Sequence, residues 1–289
     1  MIARIRKAVR LAGKLVLSLN LGSVLRVLRF GPGDCRNRLR EIFELSNPFE
    51  CRSDITTMVR TYCTGKGIEV GPADNPYCDP VNTVFVDKFE RAGQGMTVQK
   101  IENAWQLPFA DNQFDFLMSS HCLEHCPDAI RALMEWRRVV RPGGRLVVIL
   151  PHAFRMFDCG RALTPLAHHI EDHEKGVGLD DPAPWEEFER VSIPAQHHYW
   201  LDFPEARLPD GRINRKWVYE NGCIHYHVWR TQEMIELLRH VGCRVIFSQD
   251  KLGQRPDSFA VVVEVGKNQE PVAFQREFKD NPPRSDACE

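Results

Sequence analysis

The sequence of 289 residues lacks the features expected of a disulfide-rich protein, a nucleic-acid-binding protein or a membrane-spanning protein. The ten cysteines include no Cys-x-x-Cys pair, which argues against a disulfide framework and favours reduced thiols in a cytoplasmic protein. There is no excess of positive charge, with 38 Lys and Arg against 39 Asp and Glu, so a dedicated nucleic-acid partner is not expected. The apolar stretch Leu15–Leu25 is interrupted by polar residues and glycine, and is too short for a membrane span.

What is present is the composition of a globular protein with a sizeable core. Hydrophobic residues make up 43% of the chain and charged residues 27%. The length suggests one large domain, or one domain with a long insertion.

The N-terminal region is basic and amphipathic. The first 33 residues contain seven basic side chains and no acidic one. As a helix, this segment places Ile5 and Val9 on one face and Arg6 on the other. We expect residues 1–60 to be helical, and two interpretations stay open: the helix packs on its own domain, or residues 1–30 lie on an anionic membrane surface at the inner leaflet.

From Gly65 onward, short apolar runs separated by turn residues predict buried strands of a sheet that is covered on both faces. The runs are Gly67–Val70, Val84–Asp87, Phe114–Ser119, Leu146–Leu150, Val245–Phe247 and Phe259–Val265. Between them, Pro127 suits the first position of one helix, and Thr231 suits the cap of another that ends at Gly242. Strands that alternate with helices predict an α/β fold with a doubly wound, mostly parallel sheet.

Residues 152–227 interrupt this alternation and hold eight of the eleven histidines. Their position beyond the carboxyl end of a central strand is where such sheets form a binding crevice. We interpret them as an acceptor-binding insertion or lid. The sheet domain would then comprise residues 61–151 and 228–266, and residues 267–289 would form a flexible, polar tail.

Two strand ends carry residues suited to a nucleotide. Glu69 ends one strand, and Gly71 follows it with a tight turn where a ligand can approach the backbone. Asp87 ends the next strand, where a carboxylate can accept hydrogen bonds from both hydroxyls of a ribose.

These residues belong to a longer ordered string of motifs. The string is Glu69-x-Gly71, Asp87, Asn103-Ala104-x-x-Leu107-Pro108-Phe109, Phe114-Asp115, Ser120-His121-x-Leu123-Glu124-His125 and Arg141-Pro142-Gly143-Gly144. It resembles the class I S-adenosylmethionine-dependent methyltransferases and, within them, the type 11 methyltransferase domain. The resemblance is close over Gly65–Pro151 and rests on pattern alone over Val228–Val265. It implies S-adenosylmethionine as cofactor and a Rossmann-like, seven-stranded sheet with helices on both faces and an irregular insertion after the fifth strand.

The resemblance also implies roles for single residues. Glu69 and Gly71 would line the methionine end of the cofactor, and Asp87 would hold its ribose. Pro72 continues the glycine loop at a position where the family often has a further small residue. We therefore expect cofactor contact from Pro72 through a loop whose shape departs from the family pattern.

The remaining implied contacts come from the next two motifs. Asn103 and Ala104 would meet the adenine, and the side-chain oxygen of Asn103 can still accept a hydrogen bond where the family more often has Asp. Ser120 and His121, at the end of the fourth strand, would border the sulfonium and the acceptor.

The acceptor is expected to be a sugar or another small hydroxylated molecule. A hydroxyl must lose its proton as the new bond forms, and histidine suits that task near neutral pH. His152 and His227 are the predicted catalytic bases because both adjoin predicted sheet ends. No metal is expected, since magnesium prefers carboxylates to imidazoles.

The insertion carries the signals for the acceptor class. Its aromatic residues, such as Trp185 and Tyr199, suit either sugar stacking or packing of the lid. The stretch His225–Trp229 also looks similar to methyltransferases of bacterial surface-polysaccharide gene clusters, so a role in polysaccharide biosynthesis is expected.

Other functions stay open. The acceptor atom could be nitrogen of a small or lipid-linked molecule, or the chain could be a catalytically silent, methyltransferase-like binding module. His121-x-x-Glu124-His125 matches an inverted zinc-peptidase motif, but it follows a strand directly instead of lying within a helix. A nicotinamide dehydrogenase would need a second glycine after Gly71 to admit a pyrophosphate, and this chain lacks it.

Overall fold

The computed structural model describes residues 55–73, 76–89, 97–101, 103–196 and 198–266. Most of the predicted basic N-terminal region and the whole predicted tail, residues 267–289, lie outside the described residues. Across the described segments, every helix is too short or too polar to cross a bilayer.

Seven strands form a single sheet, as predicted. They are β1 (Gly67–Val70), β2 (Thr83–Asp87), β3 (Val98–Lys100), β4 (Phe114–Ser120), β5 (Val140–Pro151), β6 (Cys243–Gln249) and β7 (Ser258–Val265). Their order is β3-β2-β1-β4-β5-β7-β6. The strands β1 to β5 pair in parallel, whereas β7 runs antiparallel to both β5 and β6. The predicted Rossmann-like, mostly parallel sheet is therefore confirmed.

The motif Arg141-Pro142-Gly143-Gly144, which we expect to stop the preceding helix and turn the chain into the next strand, lies inside the first part of β5. Phe114 pairs with Val140 and Phe116 pairs with Arg145, so the residues between them bulge out of the ladder. Gly144 fits this bulge because a Cβ there would lie 2.6 Å from the carbonyl oxygen of Asp115. The helix before it ends at Val139, as the motif indicated.

Five helices of six or more residues are described: α1 (Ile55–Tyr62), α2 (Ala129–Val139), α3 (Leu166–Lys175), α4 (Arg215–Glu220) and α5 (Thr231–His240). Pro127 was expected to open α2, but the helix is capped by Asp128, whose carboxylate accepts a hydrogen bond of 2.8 Å from the backbone N–H of Arg131.

The cap predicted for α5 is also displaced by one residue. Thr231 is the first helical residue, and Arg230 holds the cap position. The carboxylate of Glu233 reaches back to accept a hydrogen bond of 3.0 Å from the backbone N–H of Arg230, so a carboxylate in the first turn replaces the threonine hydroxyl.

The sheet is covered on both faces because successive strand residues point to opposite sides. On one face, α2 and α5 bury Trp136 and Leu237 against strand residues such as Leu117. On the other face, α1 buries Ile55 against strand residues such as Phe116. Helices on both faces are therefore confirmed.

The insertion after β5 has a core of its own. Besides α3 and α4 it contains short helical segments at Trp185–Glu187, Phe188–Ser192, Ile193–Ala195, Tyr199–Asp202 and Pro204–Ala206. Its buried side chains are mainly aromatic: Phe157, Trp185, Phe188, Trp200, Tyr219 and Tyr226. The backbone N–H of Tyr226 donates a 2.8 Å hydrogen bond to the carbonyl oxygen of Glu124, which docks the insertion beside the carboxyl end of β4.

Candidate active site

A cavity of about 260 Å³ lies at the carboxyl ends of β1, β2 and β4. In this strand order the connections diverge between β1 and β4, which is where open α/β sheets bind their ligands. The volume is close to the lower end of the range for small-molecule sites. Residues of the sheet domain form one wall, and residues of the insertion form the other: Leu179, Tyr199, Asn221 and Gly222.

Gly71 brings the backbone directly to the cavity wall after β1. Its φ angle is +72°, a left-handed conformation that favours glycine. A Cβ at this position would lie 2.9 Å from Cβ of Cys122, so any larger residue would push against the opposite wall. Pro72 is buried next to it but is outside the described cavity lining.

Glu69 supports this loop from behind. Its buried carboxylate accepts hydrogen bonds of 3.0 and 2.9 Å from the backbone N–H groups of Tyr77 and Cys78. Burial raises the pKa of Glu69, although these hydrogen bonds act against the shift. Glu69 is not among the described residues that line the cavity. Its carboxylate holds the loop in position, and the direct contact with the cofactor that the resemblance implied stays a prediction.

Asp87 lies on the cavity wall at the end of β2. Its carboxylate accepts hydrogen bonds of 3.0 Å from Ala73 N–H and 3.1 Å from Phe89 N–H, which fix its orientation beside the Gly71 loop. Each oxygen uses one acceptor direction in these bonds, and a carboxylate oxygen has a second. The group can therefore also accept from the two hydroxyls of a ribose.

Asn103 and Ala104 line the next part of the wall, as the resemblance implied. Helix α2 fixes this loop, because Trp136 Nε1–H donates a 2.9 Å hydrogen bond to the carbonyl oxygen of Ala104. Glu135, on the same helix, accepts a 2.7 Å hydrogen bond from the backbone N–H of Leu107. Trp105, which sequence reasoning missed, adds an aromatic side chain to the same wall.

These residues fit the adenosyl group that the resemblance implies. A turn without a side chain at Gly71 leaves room for close approach, Asp87 offers two oxygens for adjacent hydroxyls, and Asn103 offers an amide beside Trp105. This donor set matches a ribose next to a heteroaromatic base.

His121 forms the wall beyond β4. Its Nε2 lies 2.8 Å from Ser258 Oγ, which itself donates a 2.8 Å hydrogen bond to Asp257 Oδ1. Nε2 therefore carries the hydrogen, and Nδ1 keeps its lone pair and lies 3.5 Å from Glu124 Oε1. Burial, with the positive charge of Arg255 nearby, holds the pKa of His121 well below its usual range. Ser120, the preceding residue, is outside the described lining, and its buried hydroxyl has no hydrogen bond from the described residues.

The inverted zinc-peptidase arrangement is not formed. His121 has a φ angle of +53°, and only the single turn Leu123–His125 follows it. The two histidines therefore do not project from one helix face.

Glu124 and His125 occupy the end of the cavity nearest the insertion. His125 lines the cavity, and its Nδ1–H donates a 2.8 Å hydrogen bond to the carbonyl oxygen of Ile224. Glu124 is 0% exposed, and neither of its carboxylate oxygens receives a hydrogen bond from the described residues. Burial raises the pKa of Glu124 to about 7.

Next to them the insertion supplies a charged pair. His225 Nδ1 lies 2.5 Å from Asp158 Oδ2, and both side chains are buried. Asp158 also accepts from Arg161 Nη1 at 3.1 Å and from Ser192 Oγ at 2.6 Å. Burial acts to lower the pKa of His225, but the Asp158 carboxylate outweighs it, and the pKa is raised.

The two histidines predicted as catalytic bases lie elsewhere. His152 sits at the end of β5, where its Nδ1 accepts a 3.2 Å hydrogen bond from Phe154 N–H. His227 lies 3.1 Å from Asp172 through its Nε2, beside a separate depression of about 230 Å³. Neither is among the described residues that line the main cavity.

Of the eight predicted cofactor residues, the structure brings together Gly71, Asp87, Asn103, Ala104 and His121. Sequence reasoning named Tyr199 as a possible stacking residue but missed Leu179, Asn221 and Gly222, which also line the cavity. The one available signal was the clustering of histidines and aromatics there, which does not reveal which of them meet the sheet.

Comparison with known proteins identifies the central part of the chain. Residues 80–148 match the model of the Methyltransf_11 family, described as a methyltransferase domain. Demethylmenaquinone methyltransferase of Bacillus subtilis is 42% identical over 107 residues, which cover 37% of this chain and 45% of that protein. The ubiquinone/menaquinone biosynthesis C-methyltransferase of Vibrio cholerae is 42% identical over 64 residues, 22% of this chain and 25% of that protein. The chain thus spans less than half the length of these curated relatives.

Solved structures with a similar chain path also include methyltransferases. One is an S-adenosylmethionine-dependent methyltransferase of Thermotoga maritima, a possible histamine N-methyltransferase, with 18% identity and a TM-score of 0.43 over 82% of this chain and 96% of that one. Another, from Mesorhizobium loti, has 15% identity and a TM-score of 0.40 over 69% of this chain and 90% of that one.

The family match begins before β2 and ends within β5, so it includes Asp87, Asn103, Ala104 and His121, which line the cavity. The motif string and the family match therefore agree: residues 80–148 are similar to the Methyltransf_11 methyltransferase domain.

Proposed function

We propose that this protein transfers a methyl group from S-adenosylmethionine to an oxygen atom of a sugar or another small hydroxylated acceptor. The observation that carries the proposal is one continuous cavity. Its wall joins Gly71, Asp87 and Asn103 on the sheet side to His121 and the insertion on the other.

The insertion supports a ring-shaped, polar acceptor. Tyr199 lies in the cavity wall and is 63% exposed, so one aromatic side chain is available for stacking. Asn221 adds a side-chain amide to the same region. We extend the proposal to the domain division: residues 61–151 with 228–266 hold the cofactor, and residues 152–227 hold the acceptor.

The bound cofactor would supply an electrophilic methyl carbon on a sulfonium: the carbon–sulfur bond breaks as the carbon–oxygen bond forms, and the sulfur keeps the electron pair. The chain must align the acceptor oxygen in line with that bond and remove its proton.

His121 is the residue that we propose as proton acceptor. Its lowered pKa keeps it unprotonated at neutral pH, and its Nδ1 lone pair is free of the Ser258 hydrogen bond. Once protonated, it lies 3.5 Å from the Glu124 carboxylate, which can stabilise the imidazolium. His152 and His227 remain predictions for this role and enter the same experiment.

The curated relatives that match are named as C-methyltransferases of quinone biosynthesis or as demethylmenaquinone methyltransferases. The family match stops at residue 148, before Leu179, Tyr199 and Asn221. The likeness therefore supports the cofactor and leaves the acceptor to the insertion, so a quinone-like carbon acceptor and a nitrogen acceptor are alternative outcomes of the test.

Cofactor binding is tested by calorimetry with S-adenosylmethionine and S-adenosylhomocysteine. Asp87→Ala should weaken both at least about tenfold, or about 1.4 kcal/mol, because two hydrogen bonds to a charged acceptor are lost. Asp79→Ala is the matched control, since Asp79 holds only the turn at Val81 and is outside the described cavity lining. Equal affinities for Asp87→Ala and the wild type would show that the ribose assignment is wrong.

Methyl transfer is tested with labelled cofactor and a panel of sugars, phenols, amines and quinones, with the product atom located by NMR. His121→Ala should lower turnover by about 10²–10⁴-fold while cofactor affinity changes little. His152→Ala and His227→Ala are measured alongside. Cofactor binding without transfer to any member of the panel would favour the silent module, and full activity in His121→Ala would remove it as proton acceptor.

A further inference from the structure

Three side chains at the inner end of the cavity are arranged as metal ligands. One donor atom from each of Glu124, His125 and His225 lies within 4.8 Å of the others. Two ligands of a tetrahedral zinc ion lie about 3.4 Å apart, at about 2.1 Å per bond. A contraction of up to roughly 1.4 Å would therefore close this group around an ion.

The state of Glu124 is the first reason to expect a cation here. A fully buried carboxylate is costly unless it is hydrogen-bonded or paired. Both oxygens of Glu124 lack a hydrogen bond from the described residues, and His121 Nδ1 lies 3.5 Å from Oε1. A bound cation would satisfy these two oxygens.

The orientation of the two imidazoles is a second and independent reason. His125 uses Nδ1 for the carbonyl oxygen of Ile224, and His225 uses Nδ1 for the Asp158 carboxylate. In each ring Nε2 is then the nitrogen outside that bond. Metal-binding histidines usually have this arrangement, in which one nitrogen binds the ion and the other donates to a carbonyl or carboxylate.

Asp158 is itself held in place. Arg161 and Ser192 donate to its Oδ1, while its Oδ2 contacts His225. A fixed carboxylate orients the imidazole and increases its basicity toward a metal.

We propose that Glu124, His125 and His225 bind one divalent first-row transition-metal ion, with Zn²⁺ as the ion of choice, at the inner end of the cavity. Two imidazoles and one carboxylate suit zinc or a similar ion better than magnesium, which requires oxygen ligands. Three protein ligands would leave one coordination position open, and one of the ligands, His125, lines the cavity.

The role of the ion rests on the proposed function. If bound, the ion would act as a Lewis acid toward an acceptor hydroxyl and make its proton easier to remove. The proposal departs from the metal-free site that the sequence led us to expect.

A second group of possible ligands, His168, Asp172 and His227, provides the matched comparison. There, Nε2 of His227 and Nε2 of His168 lie 3.1 and 3.2 Å from the same oxygen of Asp172. Both imidazoles contact this oxygen, so the carboxylate is not left without a partner. We therefore expect this group to bind a metal much more weakly.

The experiment measures metal binding directly on the full chain after chelator treatment. Calorimetry with ZnCl₂ should give one site, and Co²⁺ should give the visible absorption of a low-coordinate, nitrogen- and oxygen-bound ion. Glu124→Gln and His225→Gln should each weaken Zn²⁺ binding at least about 100-fold, whereas His227→Gln, the matched buried histidine, should change it less than about threefold.

Folding of each variant is checked by circular dichroism, and the Co²⁺ spectrum of the wild type tests the site even if a variant does not fold. Absence of Zn²⁺ and Co²⁺ binding by the folded wild type, or an equal loss in His227→Gln and His225→Gln, would overturn the proposal. Calorimetry with S-adenosylmethionine on the same samples separates the two proposals, because the Asp87 side of the cavity does not depend on the ion.

Discussion

Two buried pairs of histidine and aspartate in the insertion look alike in the sequence but differ in charge. Asp158 and His225 are 2.5 Å apart, and Asp172 and His227 are 3.1 Å apart. Burial acts to raise the pKa of both aspartates, and the pKa of Asp172 is raised. For Asp158 the opposing effect of His225 and Arg161 is larger, so its pKa is lowered. The pKa of His225 is raised, whereas burial lowers that of His227 to about 3. The charged form of the imidazole is therefore favoured in the first pair, whereas His227 is neutral in the second.

The difference comes from the neighbours, not from the residue types. Arg161 adds a buried positive charge to the first pair, and Ser192 adds a hydroxyl donor. The second pair lies against other rings: the His169 ring is 4.5 Å from that of His227, and the Trp229 ring is 5.4 Å from it. The charge of a clustered histidine therefore depends on the groups that pack against it.

The largest expected effect is on stability when the carboxylate of each pair is removed. Asp158→Ala leaves Arg161 and His225 buried without their partner, so the free energy of unfolding should fall by about 3–5 kcal/mol. Asp172→Ala removes a hydrogen-bond partner of the neutral His227 imidazole and should cost about 1–3 kcal/mol. Urea unfolding at neutral pH compares the two. Equal losses would mean that both pairs carry the same charge.

Acid should affect the second pair through His227. Because the pKa of His227 is about 3 in the fold and 6.5 in the unfolded chain, protons bind the unfolded form more readily as the pH falls below 6.5. Between pH 7 and pH 5 this histidine should reduce stability by about 2 kcal/mol, and the loss should continue until about pH 3. His227→Gln lacks this ionisable side chain. Its free energy of unfolding should therefore fall by about 2 kcal/mol less than that of the wild type between pH 7 and pH 5. Parallel pH profiles for the two proteins, measured with chelator present, would contradict a neutral His227.

A smaller effect is expected from the hydroxyl that donates to the ion pair. Ser192 is buried, and its Oγ lies 2.6 Å from Asp158 Oδ1. Ser192→Ala keeps the ion pair but removes a hydrogen bond to a charged group, which should cost about 1.5 kcal/mol. Thr164→Val is the control, since Thr164 Oγ1 accepts a 3.0 Å bond from Val228 N–H and involves no charge. Denaturant unfolding should show the larger loss in Ser192→Ala. The reverse order would mean that Asp158 is not ionised.

Much of the sheet could be predicted because its strands are continuous apolar runs. The exception is β3, Val98–Lys100, which has one apolar residue and lies at the sheet edge, where pairing with β2 defines it. The insertion could not be predicted in detail, since its core joins aromatic residues from several short turns and follows no single period.

The candidate site divides in the same way. Gly71, Asp87 and His121 lie at strand ends, and parallel strands bring their carboxyl ends to one edge, so sequence order was enough to group them. Glu124 is buried only because the insertion covers it, and its meeting with His225 depends on a contact between residues 101 positions apart. No local pattern reports such a contact.

The smallest expected effect concerns the exposed link between the two parts of the cavity. Lys88 Nζ donates a 2.8 Å hydrogen bond to the carbonyl oxygen of Glu220, joining the end of β2 to α4 of the insertion. Exposed contacts of this kind contribute little, so Lys88→Met should change the free energy of unfolding by less than about 0.5 kcal/mol. Lys175→Met, which removes an exposed ion pair with Glu171 on α3, is the control and should behave alike.

This last result tests which contacts hold the insertion in place. Buried backbone bonds already connect it to the sheet domain, from Tyr226 N–H to Glu124 and from Ala153 N–H to Trp229. If they suffice, unfolding remains a single transition in Lys88→Met with its midpoint nearly unchanged. A loss above about 1.5 kcal/mol, or a separate early transition, would show that exposed contacts also hold the insertion in place. The buried backbone bonds would then not be sufficient at this interface.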